Sequence, residues 1–242
     1  MKAVNAVWEQ RNLGVNCYEI TIEKKDSIEI VKEQLPKYLA EYVVVKVPTA
    51  RTDIMFALSE MQYIFIECSI HITNNLKNIE LQGVQKRLAD AVNYSQMDKL
   101  DIDVLFDEIR AGMFTTDRVN LDPYFSLQQG ANRYIGWISD ERDRGTLVYK
   151  LTYKDKAIGF FTFKDLGSGV YFPFLAGLYK NCMQSFGLGF NIVYKPICEA
   201  IKRNGRMLST YVSSNNLNAI HVHTMLNFKF NAIHYVYIKH FG

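Results

Sequence analysis

The sequence predicts an α/β (α+β) fold in two units, a small α/β unit over residues 1–78 and a larger one over residues 79–242. Three observations predict it. β-branched runs such as Tyr42–Val47 alternate with amphipathic segments such as Ile102–Met113, the alternation that builds layered sheets covered by helices. A polar break at Asn74, Asn75 and Asn78 separates two such series. The 242 residues are 48% hydrophobic and 22% charged, enough to pack a core and too apolar for a disordered chain.

In the small unit, Cys17–Ile22 reads as a strand and Ile28–Ala40 as a helix interrupted by Pro36. Tyr42–Val47 has the composition of a strand buried in a parallel sheet, and Pro48 ends it. Thr52–Met61 reads as a short amphipathic helix and Tyr63–Ile72 as a strand, completing a βαβαβ unit.

The larger unit opens with a predicted strand near Val84–Val92. Ile102, Leu105, Phe106, Ile109 and Met113 share one helical face. Asp122-Pro123 predicts a helix start, with Asp as cap and Pro at the first position, running to Ser139. The charged stretch Asp140–Arg144 reads as an exposed turn closed by Gly145. Leu147–Tyr153 and Ala157–Lys164 pair as a hairpin around Lys154-Asp155-Lys156. A third strand, Val170–Tyr179, follows the turn at Leu166–Gly169, and Pro173 marks it as an edge or a bulge. Phe190, Val193, Ile197 and Ile201 form the apolar face of a helix that Asn204-Gly205 closes and Pro196 interrupts. A strand Leu208–Val212, a helix Leu217–Leu226 and a strand Tyr235–Lys239 complete the series. Val43–Ile64 and Tyr211–Phe230 share one order of elements, as a degenerate half-repeat or the common likeness of βαβ units would give.

Several function classes fall away. A net charge of +3 is too slight to argue for nucleic acid. Cys17, Cys68, Cys182 and Cys198 have no CxxC spacing and read as reduced core residues, with no metal site and no disulfide frame. Trp8, Glu9 and Arg11 stand where a secretory signal needs an apolar run, and no stretch approaches the ~20 apolar residues of a membrane span. The expectation is a cytoplasmic chain without a membrane partner.

Two segments carry chemistry. Gln184-Ser185-Phe186-Gly187-Leu188-Gly189 follows a strand and opens a helix. Its unpaired N–H groups and the helix dipole suit a pyrophosphate, and glycine lets phosphate oxygens approach. A plain turn before a core helix has the same local pattern. Ser213-Ser214-Asn215-Asn216 then precedes the last helix, and Ser and Asn are good caps.

A Q-x-x-G-x-G loop after a strand, followed by an Asn-rich helix cap, resembles the GNAT N-acetyltransferases. Leu226-Asn227-Phe228 is similar to the Leu-Gly-Phe that ends the corresponding helix in most members. Trp8-Glu9 and Leu13-Gly14-Val15-Asn16 are similar to the opening of the dTDP-fucosamine acetyltransferase group. The resemblance implies a mixed sheet splayed open between Val170–Tyr179 and Leu208–Val212, with acetyl-CoA in the opening. Ala176, Gly177 and Leu178 would then pair with pantetheine, and amides from Gln184, Ser185, Phe186, Gly187, Leu188, Gly189 and Phe190 would hold the pyrophosphate. Asn215 or Asn216 would reach pantetheine besides capping its helix.

The implied activity is acetyl transfer to a primary amine, with a dTDP-linked 4-amino-4,6-dideoxy sugar as the implied acceptor. Leu178 N–H would polarise the thioester carbonyl. His223 stands where the family commonly has the Tyr that protonates the CoA thiolate, and histidine can donate a proton. His221, about 200° away around the helix, would face elsewhere. Asp140, Glu141, Asp143 and Asp165 are candidate bases by type alone. Tyr124, Phe125, Tyr134 and Trp137 could stack on a nucleotide base or pack at helical spacing. Acylation of a protein or peptide amine, CoA binding without turnover, and homodimerisation all stay open.

Overall fold

The computed structural model describes residues 1–77, 79–180 and 187–241. The chain opens with a strand, β1 (Lys2–Asn5), and a helix, α1 (Val7–Leu13), each too short for its periodicity to show in the sequence. Gly14 ends α1 at φ 79°, and its N–H donates to Gln10 O. The expected βαβαβ series follows as β2 (Cys17–Thr21), α2 (Ile28–Gln34), β3 (Tyr42–Pro48), α3 (Thr52–Glu60) and β4 (Ile64–Asn74). Ser27 caps α2, and Pro36 lies in a 3₁₀ turn, so this helix stops at Gln34 instead of Ala40.

The larger unit departs from expectation in several places. Residues near Val84 form a helix, α4 (Gly83–Asp90), and only Val92 begins a strand, β5 (Val92–Gln96). Gln85, Lys86 and Arg87 favour a helix, and Ala89 is the one buried residue of α4. α5 (Lys99–Arg110) opens on a reciprocal Asp98–Asp101 cap and buries Ile102, Leu105 and Ile109. A short α6 (Arg118–Leu121) follows. Asp122-Pro123 starts no helix: Asp122 Oδ1 accepts from Tyr124 N at 3.0 Å in a turn. The helix α7 (Leu127–Asp143) waits for Ser126, which forms a capping box with Gln129.

β6 (Leu147–Tyr153) and β7 (Lys156–Asp165) form the predicted hairpin, with φ 48° at Lys154 and 60° at Asp155. That is the two-residue turn whose twist matches paired strands. The predicted third strand divides into β8 (Val170–Phe172) and β9 (Ala176–Leu178). Then come α8 (Asn191–Lys202), unbroken through Pro196, β10 (Met207–Ser213), α9 (Leu217–Met225) and β11 (Lys229–His240).

These strands build one mixed sheet in the order β1-β2-β3-β11-β4-β10-β8-β7-β6-β5. β11, the last strand of the chain, lies between β3 and β4 and is antiparallel to both. Residues on either side of position 78 therefore share one sheet. The half-repeat is visible in this order. Exchanging β3 with β10 and β4 with β11 maps β3-β11-β4-β10 onto itself reversed. The helix in each half ends alike: Gln62 and Asn227 sit at φ 63° and 60°. The next residues, Tyr63 and Phe228, donate to Leu58 O and His223 O at 2.9 and 3.0 Å. β2 and β3 run parallel and stay paired from Cys17–Tyr42 to Thr21–Lys46. β8 and β10 also run parallel but pair only at Val170–Met207 and Tyr171–Leu208.

What parts the second pair is a bulge. β7 pairs Asp165 with Tyr171 and Lys164 with Phe172, then Phe161 with Ala176 and Gly159 with Leu178. The register shifts by one residue across Pro173–Leu175, and a bulge bends its strand. Proline there removes a ladder donor. Thr162 Oγ1 fills the gap, accepting from Leu175 N at 2.9 Å. Past the bulge, β9 follows β7 while β10 stays with β4, and the sheet opens between them. Helices cover both faces: Ile197 and Ala200 of α8 pack on Leu208 and Phe161, and Leu105, Ile109 and Ile138 pack on Phe160. No described helix is long and apolar enough to cross a membrane.

Candidate active site

The opening between β9 and β10 leads into a cavity of about 1420 Å³. One end is built from the elements the motifs marked. All three residues of β9, Ala176, Gly177 and Leu178, line it, with Gly187, Gly189 and Phe190 from the approach to α8. Gly177 lies where a Cβ would come within 2.6 Å of Met113 Sδ, and a Cβ on Gly159 would meet Gly177 O at 2.4 Å. Gly159 lets β9 lie close on β7, and Gly177 makes room for Met113. Among the described residues, β9 pairs with β7 alone, so its other edge faces the opening.

Gly187 turns the chain at φ 88° into α8, which has no side-chain cap. Among the described residues, no group accepts from the N–H of Gly187, Leu188, Gly189 or Phe190. Leu188 itself is buried in the core beside Val193 and Ile197. Gln184, Ser185 and Phe186 lie outside the described residues.

On the facing side, Asn216 Oδ1 caps α9 by accepting from Ala219 N at 3.0 Å, and Asn216 lines the cavity. Asn215 turns away: its amide donates to Ile66 O on β4 at 3.4 Å. His223 also lines the cavity, with Nδ1 2.7 Å from Ala219 O. A carbonyl oxygen only accepts, so Nδ1 carries the proton and the neutral ring has a bare Nε2. Burial pushes His223 down to about 4, against a weaker upward pull from the Ala219 carbonyl. At neutral pH the ring therefore accepts at Nε2. Giving a proton there needs the imidazolium, which burial disfavours. His221, expected to face elsewhere, is exposed and reaches the cavity as well.

The other end of the cavity is polar, and the sequence motifs did not mark it. Its floor is the sheet face of Thr21, Lys46, His234, Glu67, Ser69 and Ser213, drawn from five strands. Its wall comes from α1, α6 and α7. Glu9, fully buried on α1, accepts from Arg118 Nη2 at 2.8 Å and from Arg133 Nε at 2.8 Å. Arg118 also donates to Glu19, which Lys46 Nζ reaches at 3.0 Å. Burial by itself would raise the Glu19 carboxyl, but the charges of Arg118, Lys46 and Arg133 outweigh it and hold it far below the usual range. Asp117 accepts from Tyr134 OH, Asn120 Nδ2 and Val119 N.

Glu67 differs from these carboxylates. It is buried on β4, lines the cavity, and its Oε2 has no hydrogen-bond partner among the described residues. Burial raises its pKa, the Ser213 hydroxyl and Arg118 pull it down, and Asp117 pushes it up; the balance is upward. The sequence carries one signal for it: a lone acid inside the apolar strand Ile64-Phe65-Ile66-Glu67-Cys68.

Of the bases expected by type, Asp140 lines the cavity but takes Arg11 Nη2 at 2.5 Å, and Glu141 takes Lys164 at 2.6 Å and Arg144 at 2.8 Å. Asp143 and Asp165 are exposed, and Asp165 caps its turn at Gly167 N. The four aromatics also separate. Tyr134 and Trp137 line the cavity, while Tyr124 stacks on His240 at 4.0 Å and Phe125 packs edge-on to Tyr42.

The fold has counterparts among solved structures. A conserved protein of unknown function from Staphylococcus epidermidis aligns with a TM-score of 0.64 at 10% identity, over 96% of this chain and 88% of that one. A GCN5-related N-acetyltransferase from Sphaerobacter thermophilus aligns with a TM-score of 0.58 at 11% identity, over 88% of this chain and 64% of that one. This is the GCN5-related N-acetyltransferase fold. A tandem GNAT protein from the clavulanic acid biosynthesis pathway shares it, with a TM-score of 0.52 at 10% identity over 87% of this chain and 67% of that one. The chain thus spans about two thirds of the length of these two larger proteins. No protein-family model and no curated protein matches the sequence.

Proposed function

We propose that the chain transfers an acetyl group from acetyl-CoA to a primary amine. The observation that carries this reading is the bulge at Pro173–Leu175, which frees one edge of β9 opposite the start of α8. An extended amide chain can hydrogen-bond along that edge as an added strand does. The N–H groups of Gly187–Phe190, which have no acceptor among the described residues, lie at the positive end of α8, a place suited to a pyrophosphate. Bound acetyl-CoA supplies an activated thioester. The Leu178 N–H is the donor we assign to the carbonyl oxygen under attack. His223 holds a hydrogen bond at Nε2 in this scheme, and the thiolate takes its proton from the attacking amine or from solvent.

The finer acceptor, a dTDP-linked 4-amino-4,6-dideoxy sugar, rests on the sequence resemblance alone and enters the assay as one arm. Calorimetric titration with acetyl-CoA tests the reading, beside S-acetyl-pantetheine, which lacks the pyrophosphate. We expect micromolar binding of acetyl-CoA and at least tenfold weaker binding of the truncated thioester. Absence of acetyl-CoA binding overturns the assignment.

A further inference from the structure

Two buried polar atoms of cavity-lining residues, Glu67 Oε2 and Arg118 Nε, have no hydrogen-bond partner among the described residues. Their residues are 8% and 7% exposed, so water does not freely solvate either one. An unpaired buried acceptor and an unpaired buried donor each cost free energy that the fold does not recover internally. The neighbouring acids are committed: Glu9 and Glu19 to guanidinium groups, Asp117 to Tyr134 and Asn120. Arg118 spends Nη2 on both Glu9 and Glu19 and keeps Nε free of them. The charged groups that act on Glu67 are Arg118, Asp117 and Arg133, and Glu67 and Arg118 line the same cavity. The carboxylate oxygen can accept from a cationic donor, and the guanidinium N–H can donate to an oxygen.

We propose that Glu67 and Arg118 form the amine-acceptor subsite, binding a primary amine that carries a hydrogen-bond-accepting hydroxyl or carbonyl oxygen, with the ammonium on Glu67 and the oxygen on Arg118 Nε. The proposal rests on the acyl-transfer reading. Glu67 takes one proton from the ammonium, giving a neutral amine and a carboxylic acid. The amine nitrogen then forms its bond to the thioester carbon as the carbon–sulfur bond breaks. The second amine proton leaves with the thiolate. Burial raises the carboxyl's pKa, which makes it a stronger base towards the ammonium.

The test measures thiol release from acetyl-CoA with glycinamide, ethanolamine, propylamine or water alone, for wild type, Glu67→Gln and Glu67→Asp. Acetyl-CoA affinity is measured in parallel by calorimetry. We expect Glu67→Gln to bind acetyl-CoA within twofold of wild type, which also reports that it folds. Its amine-dependent thiol release should fall at least tenfold, with partial recovery in Glu67→Asp. Wild type should lose rate as pH falls through the Glu67 pKa, and Glu67→Gln should lack that limb. Glycinamide and ethanolamine should exceed propylamine at least tenfold in kcat/KM.

Unchanged turnover in Glu67→Gln removes Glu67 from the reaction, and equal use of propylamine removes the oxygen contact. Wild type that binds acetyl-CoA but turns over none of these amines overturns the subsite while leaving CoA binding in place. Wild type that does not bind acetyl-CoA overturns the acyl-transfer reading itself, and the subsite with it.

Discussion

At the scale of single residues, His223 shows how local contacts decide a chemical role. Sequence position suggests an acid, yet its Nδ1 proton is held by Ala219 O at 2.7 Å and burial keeps the ring neutral. The folded pKa, about 4, lies below the unfolded value of 6.5. Neutral His223 therefore favours the native state at pH above 6.5, and that contribution is lost as pH falls from 6.5 towards 4. A His223→Phe variant cannot protonate. Thermal melts between pH 7 and 4 should show wild type losing more Tm than this variant. Parallel curves for the two proteins would mean that His223 titrates normally. Glu9 makes a related point: it is an acid on an unremarkable helix whose value appears only when Arg118 and Arg133, distant in sequence, converge on it.

Among elements, the end of the cavity beside β9 and α8 was legible and the polar end was not. Glycines, caps and Pro173 act on their immediate neighbours, so the loop before α8, the Asn216 cap and the break in Val170–Tyr179 could be read locally. Glu67, Arg118 and Glu9 lie on three different elements, and no spacing along the chain announces their meeting. Val84–Val92 misled because its apolar ends resemble a strand while Gln85–Arg87 between them prefer a helix. The splay itself depends on β9 lying tight on β7, and Gly159→Ala tests that. The added Cβ would meet the Gly177 carbonyl at 2.4 Å, and backbone must move. We expect destabilisation of about 1–3 kcal/mol, read from chemical denaturation, and at least tenfold weaker acetyl-CoA binding. Unchanged affinity would show that the position of β9 does not govern the opening.

For the molecule as a whole, the division near residue 78 and the sheet order make opposing demands. Sequence composition separates two α/β units, but β11 of the second is hydrogen-bonded on both sides by strands of the first. β4 in turn stands between β11 and β10, and it carries Glu67 into the cavity that β9 and β10 open. The two halves share an arrangement of strand, helix and strand, yet only one opens: β2 and β3 stay paired where β8 and β10 separate. The closed half contributes Glu9, Glu19, Lys46 and Glu67 to the polar end.

A fragment of residues 79–242 would expose the long edges of both β10 and β11 to solvent. Unpaired edges of that length template aggregation. We expect the fragment alone to be insoluble or to lack a cooperative melt, and co-expression with residues 1–78 to restore a soluble complex that binds acetyl-CoA. A fragment that melts cooperatively and binds acetyl-CoA unaided would establish the second unit as an independent domain. It would also confine the first unit to the acceptor side, where loss of Glu67 should then abolish turnover and spare CoA binding.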